Sequence, residues 1–227
     1  MKFRFLPLTL FAALAAIAGE PCCPLNGKDL SNWNLKDKSK GKWAVGEPAL
    51  NAAKPGTLEV KPGGAAIIND VAGHGQGCDI STQDKFGDVR IEIEVMVPKG
   101  SNSGIYVMGE YEVQVFDSHG VATPGPGDMG AIYGATVPKV NASKAPGEWQ
   151  KYIIDFRAPK FDAAGAKTEN AKFLKVELNG TVIHENVEMK GPTPGGLTGK
   201  EASTGPIMFQ GDHGAVAYRN IKITPLK

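Results

Sequence analysis

Polar side chains with hydrogen-bonding chemistry alternate with apolar ones in three neighbouring segments of the chain. If the apolar members face a core, five polar side chains share the opposite face: Glu92, Glu94, Tyr106, Glu112 and Gln114. Carboxylates accept hydrogen bonds from hydroxyl groups, and an amide supplies both a donor and an acceptor. The sequence therefore predicts one sheet face that suits a hydroxyl-rich ligand such as a sugar. The alternative is an ordinary solvated face of an antiparallel sheet.

The segments that carry these side chains are expected to be strands of an all-β fold. The run 90–97 alternates strictly, and Asn179-Gly180 is a strong hairpin signal. The 227 residues include 29 Gly and 16 Pro, which favours many short strands. The expected strands are 90–97, 103–108, 111–117, 149–156, 173–178, 181–184, 206–210 and 215–223. We predict two packed antiparallel sheets, a β-sandwich of the jelly-roll type, with long loops at 123–128 and 191–204.

The charge balance argues against partners that need a strong electrostatic field. The chain has 25 basic and 24 acidic residues, a formal net charge of +1. A dedicated binder of nucleic acid or of an anionic membrane surface is therefore not expected. No segment is apolar over a length sufficient to span a membrane. The expected partner is a small carbohydrate.

The N-terminus has the pattern of an export signal. Lys2 and Arg4 precede an apolar run that ends in small residues at Ala18. We expect residues 1–18 to be a cleaved signal peptide and residues 19–227 to form one β-sandwich domain in the periplasm or outside the cell. A membrane anchor is the alternative, for which the run is short.

An exported chain meets an oxidising compartment, where its three cysteines are disulfide candidates. Cys22 and Cys23 are adjacent and do not easily bridge each other. We therefore expect one disulfide between Cys78 and either Cys22 or Cys23. Zinc binding by these cysteines is not favoured, because no CxxC spacing is present.

A set of short motifs follows in order along the chain. They are Leu25–Trp33, Lys42–Val45, Phe86–Val89, Asn102–Tyr106, Tyr111–Asp117, Gly130–Gly134, Pro146–Trp149, Leu178–Gly180, Gly205–Gln210, Asp212–Gly214 and Tyr218–Ile221. Each motif alone is weak, but the ordered set is specific. The set resembles the 3-keto-disaccharide hydrolase family and covers nearly the whole chain after the signal.

This resemblance implies a concanavalin A-like β-sandwich, usually exported, that acts on glycosides whose C3 hydroxyl has been oxidised to a ketone. The chain departs from the family pattern at two places. Asp212 stands between Gly211 and His213, where the pattern more often runs Gln-Gly-His, and a Gly- and Cys-containing stretch covers 73–78. His74 has no fixed metal spacing to other histidines and is expected to be structural.

A ketone at C3 acidifies the C2 hydrogen, so a site for this substrate needs a base, an enolate stabiliser and an acid. Glu112 and His213 are the candidates for the base. Arg219 or a bound divalent cation is expected to stabilise the enolate, and Glu94 is a second acid, a ligand or a sugar contact. The remaining candidate sugar contacts are Asn102, Tyr106, Gln114, Tyr133 and Gln210. No cofactor is certain, and a divalent metal ion stays open.

Two other functions fit the same residues. A non-catalytic carbohydrate-binding module would use the same sandwich and polar face, because fold does not fix function. A two-carboxylate glycoside hydrolase would need Glu94 and Glu112 on either side of one sugar, roughly 5 to 10 Å apart.

Overall fold

Residues 20–226 are described by the structure, a computed structural model, and they form β-strands joined by turns and loops. The predicted signal peptide lies outside these residues. Within residues 20–226, no helix is long and apolar enough to cross a membrane. The strands are β1 (Trp33–Leu35), β2 (Trp43–Leu50), β3 (Leu58–Asn69), β4 (Ile80–Thr82), β5 (Val89–Met96), β6 (Asn102–Val107), β7 (Tyr111–Phe116), β8 (Gln150–Arg157), β9 (Lys160–Phe161), β10 (Lys167–Glu169), β11 (Ala171–Leu178), β12 (Thr181–Met189), β13 (Met208–Phe209) and β14 (Val216–Pro225).

Two antiparallel sheets make up the sandwich. One has five strands in the order β1-β4-β13-β6-β7, and the other has seven in the order β12-β11-β8-β5-β14-β3-β2. Strands β9 and β10 form a separate two-stranded ribbon. The predicted all-β jelly-roll sandwich is confirmed, and the segments 123–128 and 191–204 are loops, as expected.

The core lies between the two sheets and follows the alternation of the sequence. Ile91 and Ile93 of β5 and Val113 and Val115 of β7 are at most 1% exposed. Burying each such side chain contributes about 1.5–3 kcal/mol, so the alternation fixes which side of each strand faces inward. A change of strand side would place the polar neighbours in the core.

Consecutive strands change sheet where the sequence analysis expected one continuous face. Strand β5 belongs to the seven-stranded sheet, whereas β6 and β7 belong to the five-stranded sheet. The prediction of one common polar face is therefore wrong for Glu92 and Glu94. Alternation determines the side of a residue on its own strand, but the turn after β5, where Ser101 donates to the Pro98 carbonyl, carries the chain across the core.

Strands β1 to β4, and also β9 and β10, have no counterpart among the predicted strands. In β3 the first residue and the last four are buried, and the seven between them are exposed. Gly63 and Gly64 interrupt that exposed part with φ angles of 83° and 75°. The strand therefore shows no sustained two-residue period, which was the signal used for the others.

The predicted disulfide is absent from the structure, in which Cys22, Cys23 and Cys78 are free thiols. The Cys22 thiol lies 3.8 Å from the Asp84 carboxylate, beyond the C-terminal end of β4. Cys78 precedes the other end of β4 and is buried, and its carbonyl accepts a hydrogen bond from the Trp43 indole. The length of β4 thus separates Cys22 from Cys78, which explains why they do not pair.

Candidate active site

Seven of the predicted site residues line one cavity of about 220 Å³ on the outer face of the five-stranded sheet. The predicted residues are Asn102, Tyr106, Glu112, Gln114, Tyr133, Gln210 and His213, and Pro194 and Gly195 complete the wall. Pro194 and Gly195 come from the 191–204 segment, which the sequence analysis predicted as a long loop without assigning it to the site. The structure thus brings these side chains together, while their roles in binding or catalysis stay predictions.

Glu112 lies at the centre of this arrangement because of the pairing of β6 with β7. It stands directly opposite Tyr106 in the register. Its carboxylate lies over Gly104, where any Cβ atom would collide with it. Gly195 plays the same part for Tyr106, since a Cβ atom there would lie 2.7 Å from the tyrosine hydroxyl. Two glycines therefore leave the space that these two side chains occupy.

The environment of Glu112 favours its protonated form. The side chain is only 3% exposed, and burial raises its pKa from 4.5 to about 7. That value is the net result: the neighbouring Tyr106 hydroxyl lowers the pKa, and the carboxylates of Asp79 and Asp212 act with burial to raise it. A carboxyl group that titrates near neutral pH is suited to both accepting and donating a proton.

Tyr106 is a hydrogen-bond donor in this cavity. Burial and the neighbouring Glu112 raise its pKa well above 10, so the hydroxyl keeps its proton at neutral pH. The hydroxyl donates to the Pro194 carbonyl at 3.3 Å, a long hydrogen bond. A substrate oxygen is therefore able to compete for this donor.

Three amide side chains of the cavity carry an acceptor oxygen without a partner. The oxygens of Asn102, Gln114 and Gln210 are buried and have no hydrogen-bond partner within residues 20–226. The Gln114 amide nitrogen donates to the Gly127 carbonyl at 3.1 Å, which leaves only its oxygen free. An unpaired buried acceptor costs about 1–3 kcal/mol. A ligand with several hydroxyl groups would remove that cost.

His213 reaches the cavity from the turn between β13 and β14. The Asn69 amide donates to the carbonyls of Gly211 (2.9 Å) and Gly214 (3.0 Å), on either side of the histidine. The Gly211 N–H in turn donates to the Asp79 carboxylate at 3.1 Å. Buried side chains of two other segments thus fix the position of this turn.

Two further side chains adjoin His213, and the sequence analysis did not place them there. Asp212 lies with its carboxylate oxygen 2.5 Å from His213 Nδ1. The ring of His74 packs edge-on against the His213 ring, with 4.2 Å between ring centroids. One donor atom from each of these three residues lies within 4.8 Å of the others, which is close enough to hold a metal ion. The sequence analysis had noted the segment 73–78 and Asp212 only as departures from the family that the motifs resemble.

Glu94 and Arg219 lie away from the cavity, on the outer face of the seven-stranded sheet. The Arg219 Nε donates to Glu94 at 2.7 Å, and its guanidinium carbon lies 3.9 Å from the centroid of the Trp149 ring. The expected contact of Arg219 with a substrate in the Glu112 cavity is therefore wrong. Because the core separates Glu94 from Glu112, the pair is also not arranged across one sugar, as a two-carboxylate hydrolase would need.

A larger cavity of about 510 Å³ borders Arg219 on that same outer face. Its two basic side chains are engaged elsewhere, Arg219 with Glu94 and Lys222 with Glu92. None of the unpaired buried acceptors found in the described part of the chain belongs to its wall. The smaller cavity around Glu112 is therefore the stronger candidate for an active site.

Comparison with known proteins gives a consistent result for this chain. The sequence model of the 3-keto-alpha-glucoside-1,2-lyase-like domain matches residues 24–224. A crystal structure of a candidate glycosyl hydrolase from Parabacteroides distasonis ATCC 8503 is 32% identical, with a TM-score of 0.67, over 91% of this chain and 84% of that chain.

Two more candidate glycosyl hydrolases from the same organism share the fold. One is 22% identical with a TM-score of 0.57, over 91% of this chain and all of that chain. The other is 18% identical with a TM-score of 0.54, over 91% of this chain and 94% of that chain. No curated protein sequence matches the chain significantly.

Proposed function

This chain belongs to the family of 3-keto-alpha-glucoside-1,2-lyase-like domains, and we propose that it cleaves glycosides whose C3 hydroxyl has been oxidised to a ketone. The family and the 32% identical glycosyl hydrolase-like structure give it a carbohydrate-active role. The observation that carries the finer proposal is the cavity itself. It combines one carboxyl group that titrates near neutral pH with three unpaired amide acceptors.

The proposed reaction is an elimination across C1 and C2. The C3 ketone acidifies the C2 hydrogen, and removal of that proton leaves an enolate over C2 and C3. The electron pair then forms the C1–C2 double bond while the bond from C1 to the leaving oxygen breaks. The leaving oxygen takes up a proton, which gives an alcohol and an unsaturated ketone. Addition of water to the double bond completes net hydrolysis.

Glu112 is our choice for the proton acceptor. With a pKa of about 7, a large fraction of this carboxyl group is ionised at neutral pH and accepts the C2 proton. The protonated group then supplies a proton to the leaving oxygen. Tyr106, which keeps its own proton, is placed to donate a hydrogen bond to the oxygen that gains negative charge.

The amides of Asn102, Gln114 and Gln210 are proposed to hold the sugar hydroxyls, and the exposed ring of Tyr133 to contact the sugar at the rim. A cavity of about 220 Å³ is smaller than the roughly 300–1,000 Å³ of sites for drug-sized ligands. It therefore fits one sugar ring, with the leaving group outside. The basic and apolar N-terminal pattern supports export as part of this proposal.

The test uses a 3-keto-glycoside with deuterium at C2 and the matched unoxidised glycoside. We expect cleavage of the oxidised substrate only, with slower turnover of the deuterated form or loss of deuterium to solvent. Glu112→Gln is expected to lower the rate by about 10²–10⁴, whereas Glu94→Gln, on the other sheet, serves as the control. Cleavage that retains the deuterium would contradict elimination, and binding without cleavage would support a binding module.

A further inference from the structure

Two imidazoles and one carboxylate meet at the edge of the Glu112 cavity. His74 comes from the turn after β3, and Asp212 and His213 come from the turn between β13 and β14. One donor atom from each of the three side chains lies within 4.8 Å of the others. His213 also lines the cavity, so the cluster and the proposed substrate site share a wall.

The backbone holds the two segments of this cluster against each other. The Gly75 N–H, next to His74, donates to the carbonyl of Asp212 at 2.6 Å. The Asn69 amide binds the carbonyls of Gly211 and Gly214 on both sides of Asp212 and His213. The three side chains are therefore brought together by the fold before any ligand arrives, which lowers the cost of binding one.

We propose that His74, Asp212 and His213 bind a divalent transition-metal cation of the Zn²⁺ type. Two imidazole nitrogens and one carboxylate oxygen form a donor set that zinc accepts, whereas Mg²⁺ and Ca²⁺ prefer oxygen donors alone. Three protein ligands leave at least one coordination position for water or a substrate oxygen. Lys36 forms its ion pair with Asp79, at 2.9 Å.

The use of this cation in catalysis rests on the proposed function. A cation held partly by His213 at the cavity wall would contact a sugar oxygen next to the reacting carbons and stabilise its negative charge. The cation would then stabilise the enolate, a role for which the sequence analysis offered Arg219 or a divalent cation. A His213 nitrogen bound to metal does not accept a proton, so the base is then Glu112.

Binding is tested on protein freed of metal with a chelator, by calorimetric titration with Zn²⁺ and by the absorption spectrum of added Co²⁺. We expect one ion per chain in the wild type. His74→Ala is expected to weaken binding by at least about tenfold, as loss of even indirect metal partners does. His119→Ala removes another exposed histidine, which is not one of the three clustered ligands, and it should bind as the wild type.

Failure of the wild type to bind either ion, or equal binding by His74→Ala, would overturn the site. Asp212→Asn keeps the side-chain volume and gives a second check on the same ligand set. Full cleavage of the oxidised glycoside by metal-free protein would overturn the catalytic use and leave the proposed function in place. Binding at the cluster without any cleavage would instead leave the metal site in place and contradict the proposed function.

Discussion

Replacing Glu112 by Gln is expected to stabilise the protein, and to do so more strongly as the pH rises. The pKa of Glu112 in the folded protein, about 7, lies above its ordinary value of 4.5. The fold therefore favours the protonated carboxyl. The contribution of Glu112 to the free energy of unfolding is fully present below pH 4.5 and is lost as the pH rises through 7. The rise from 4.5 to about 7 corresponds to about 3 kcal/mol in the free energy of unfolding.

Gln has nearly the volume of Glu and no charge, so it avoids this loss. Between about pH 5 and pH 8.5 the advantage of Glu112→Gln over the wild type should grow by about 2–3 kcal/mol. Urea unfolding curves at the two pH values measure it, with metal-free protein used throughout. An advantage that does not change with pH would refute our account of the Glu112 environment, and a loss of several kcal/mol would show a structural ion pair instead.

Glu110 supplies the matched control for this experiment. It lies two residues away and is similarly buried, 5% exposed against 3%. Its carboxylate accepts hydrogen bonds from the Thr198 N–H and hydroxyl and from the Gly199 N–H. Glu110→Gln should therefore destabilise the protein at both pH values, by about 1.5–3 kcal/mol, which is opposite in sign to the effect at Glu112.

Gly104→Ala places a Cβ atom against the Glu112 carboxylate. We expect the rate of cleavage of the oxidised glycoside to fall by at least tenfold while the circular dichroism spectrum stays that of a β-sheet protein. An unchanged rate would contradict the close packing of Glu112 over Gly104. Glu94→Gln breaks an ion pair with Arg219 that is partly exposed to solvent. The free energy of unfolding, measured in urea, should therefore change by about 1 kcal/mol or less, and the rate of glycoside cleavage should not change. A large rate loss there would contradict the placement of the site. Cys78 is buried and its thiol pKa is raised by burial, so a thiol reagent should label it only after unfolding. Labelling of fewer than three thiols in unfolded, non-reduced protein would instead support the disulfide that the sequence predicted.

The sequence predicted strands β5 to β8 and β11 to β14 with end points that differ by at most five residues, and it missed β9 and β10. Short-range alternation was sufficient for this, because the buried side chains of β5 and β7 recur at every second position. The strands before β5 were missed because the exposed middle of β3 and its two glycines break that period. Their place in the sheets depends on partners such as β14, which lie far along the chain.

Much of the candidate site was also predictable. Tyr106, Glu112 and Gln114 were found by alternation, and the motif resemblance added Asn102 and Gln210. His74 was not found, because neither spacing nor periodicity links it to a histidine in a turn near the other end of the chain. Only the hydrogen bond from Gly75 to Asp212 and the packing of the two rings bring them together.

The sequence by itself determined the all-β class, the polar and apolar side of each later strand, and a set of polar residues suited to a sugar. These are local properties, since successive side chains of a strand point to opposite faces whatever the strand pairs with. The tertiary structure decided which sheet each strand joins. It thereby separated Glu94 and Arg219 from Glu112 and joined His74 to His213. Pairing between strands and contacts between loops depend on long-range packing of the whole chain, which no local pattern encodes.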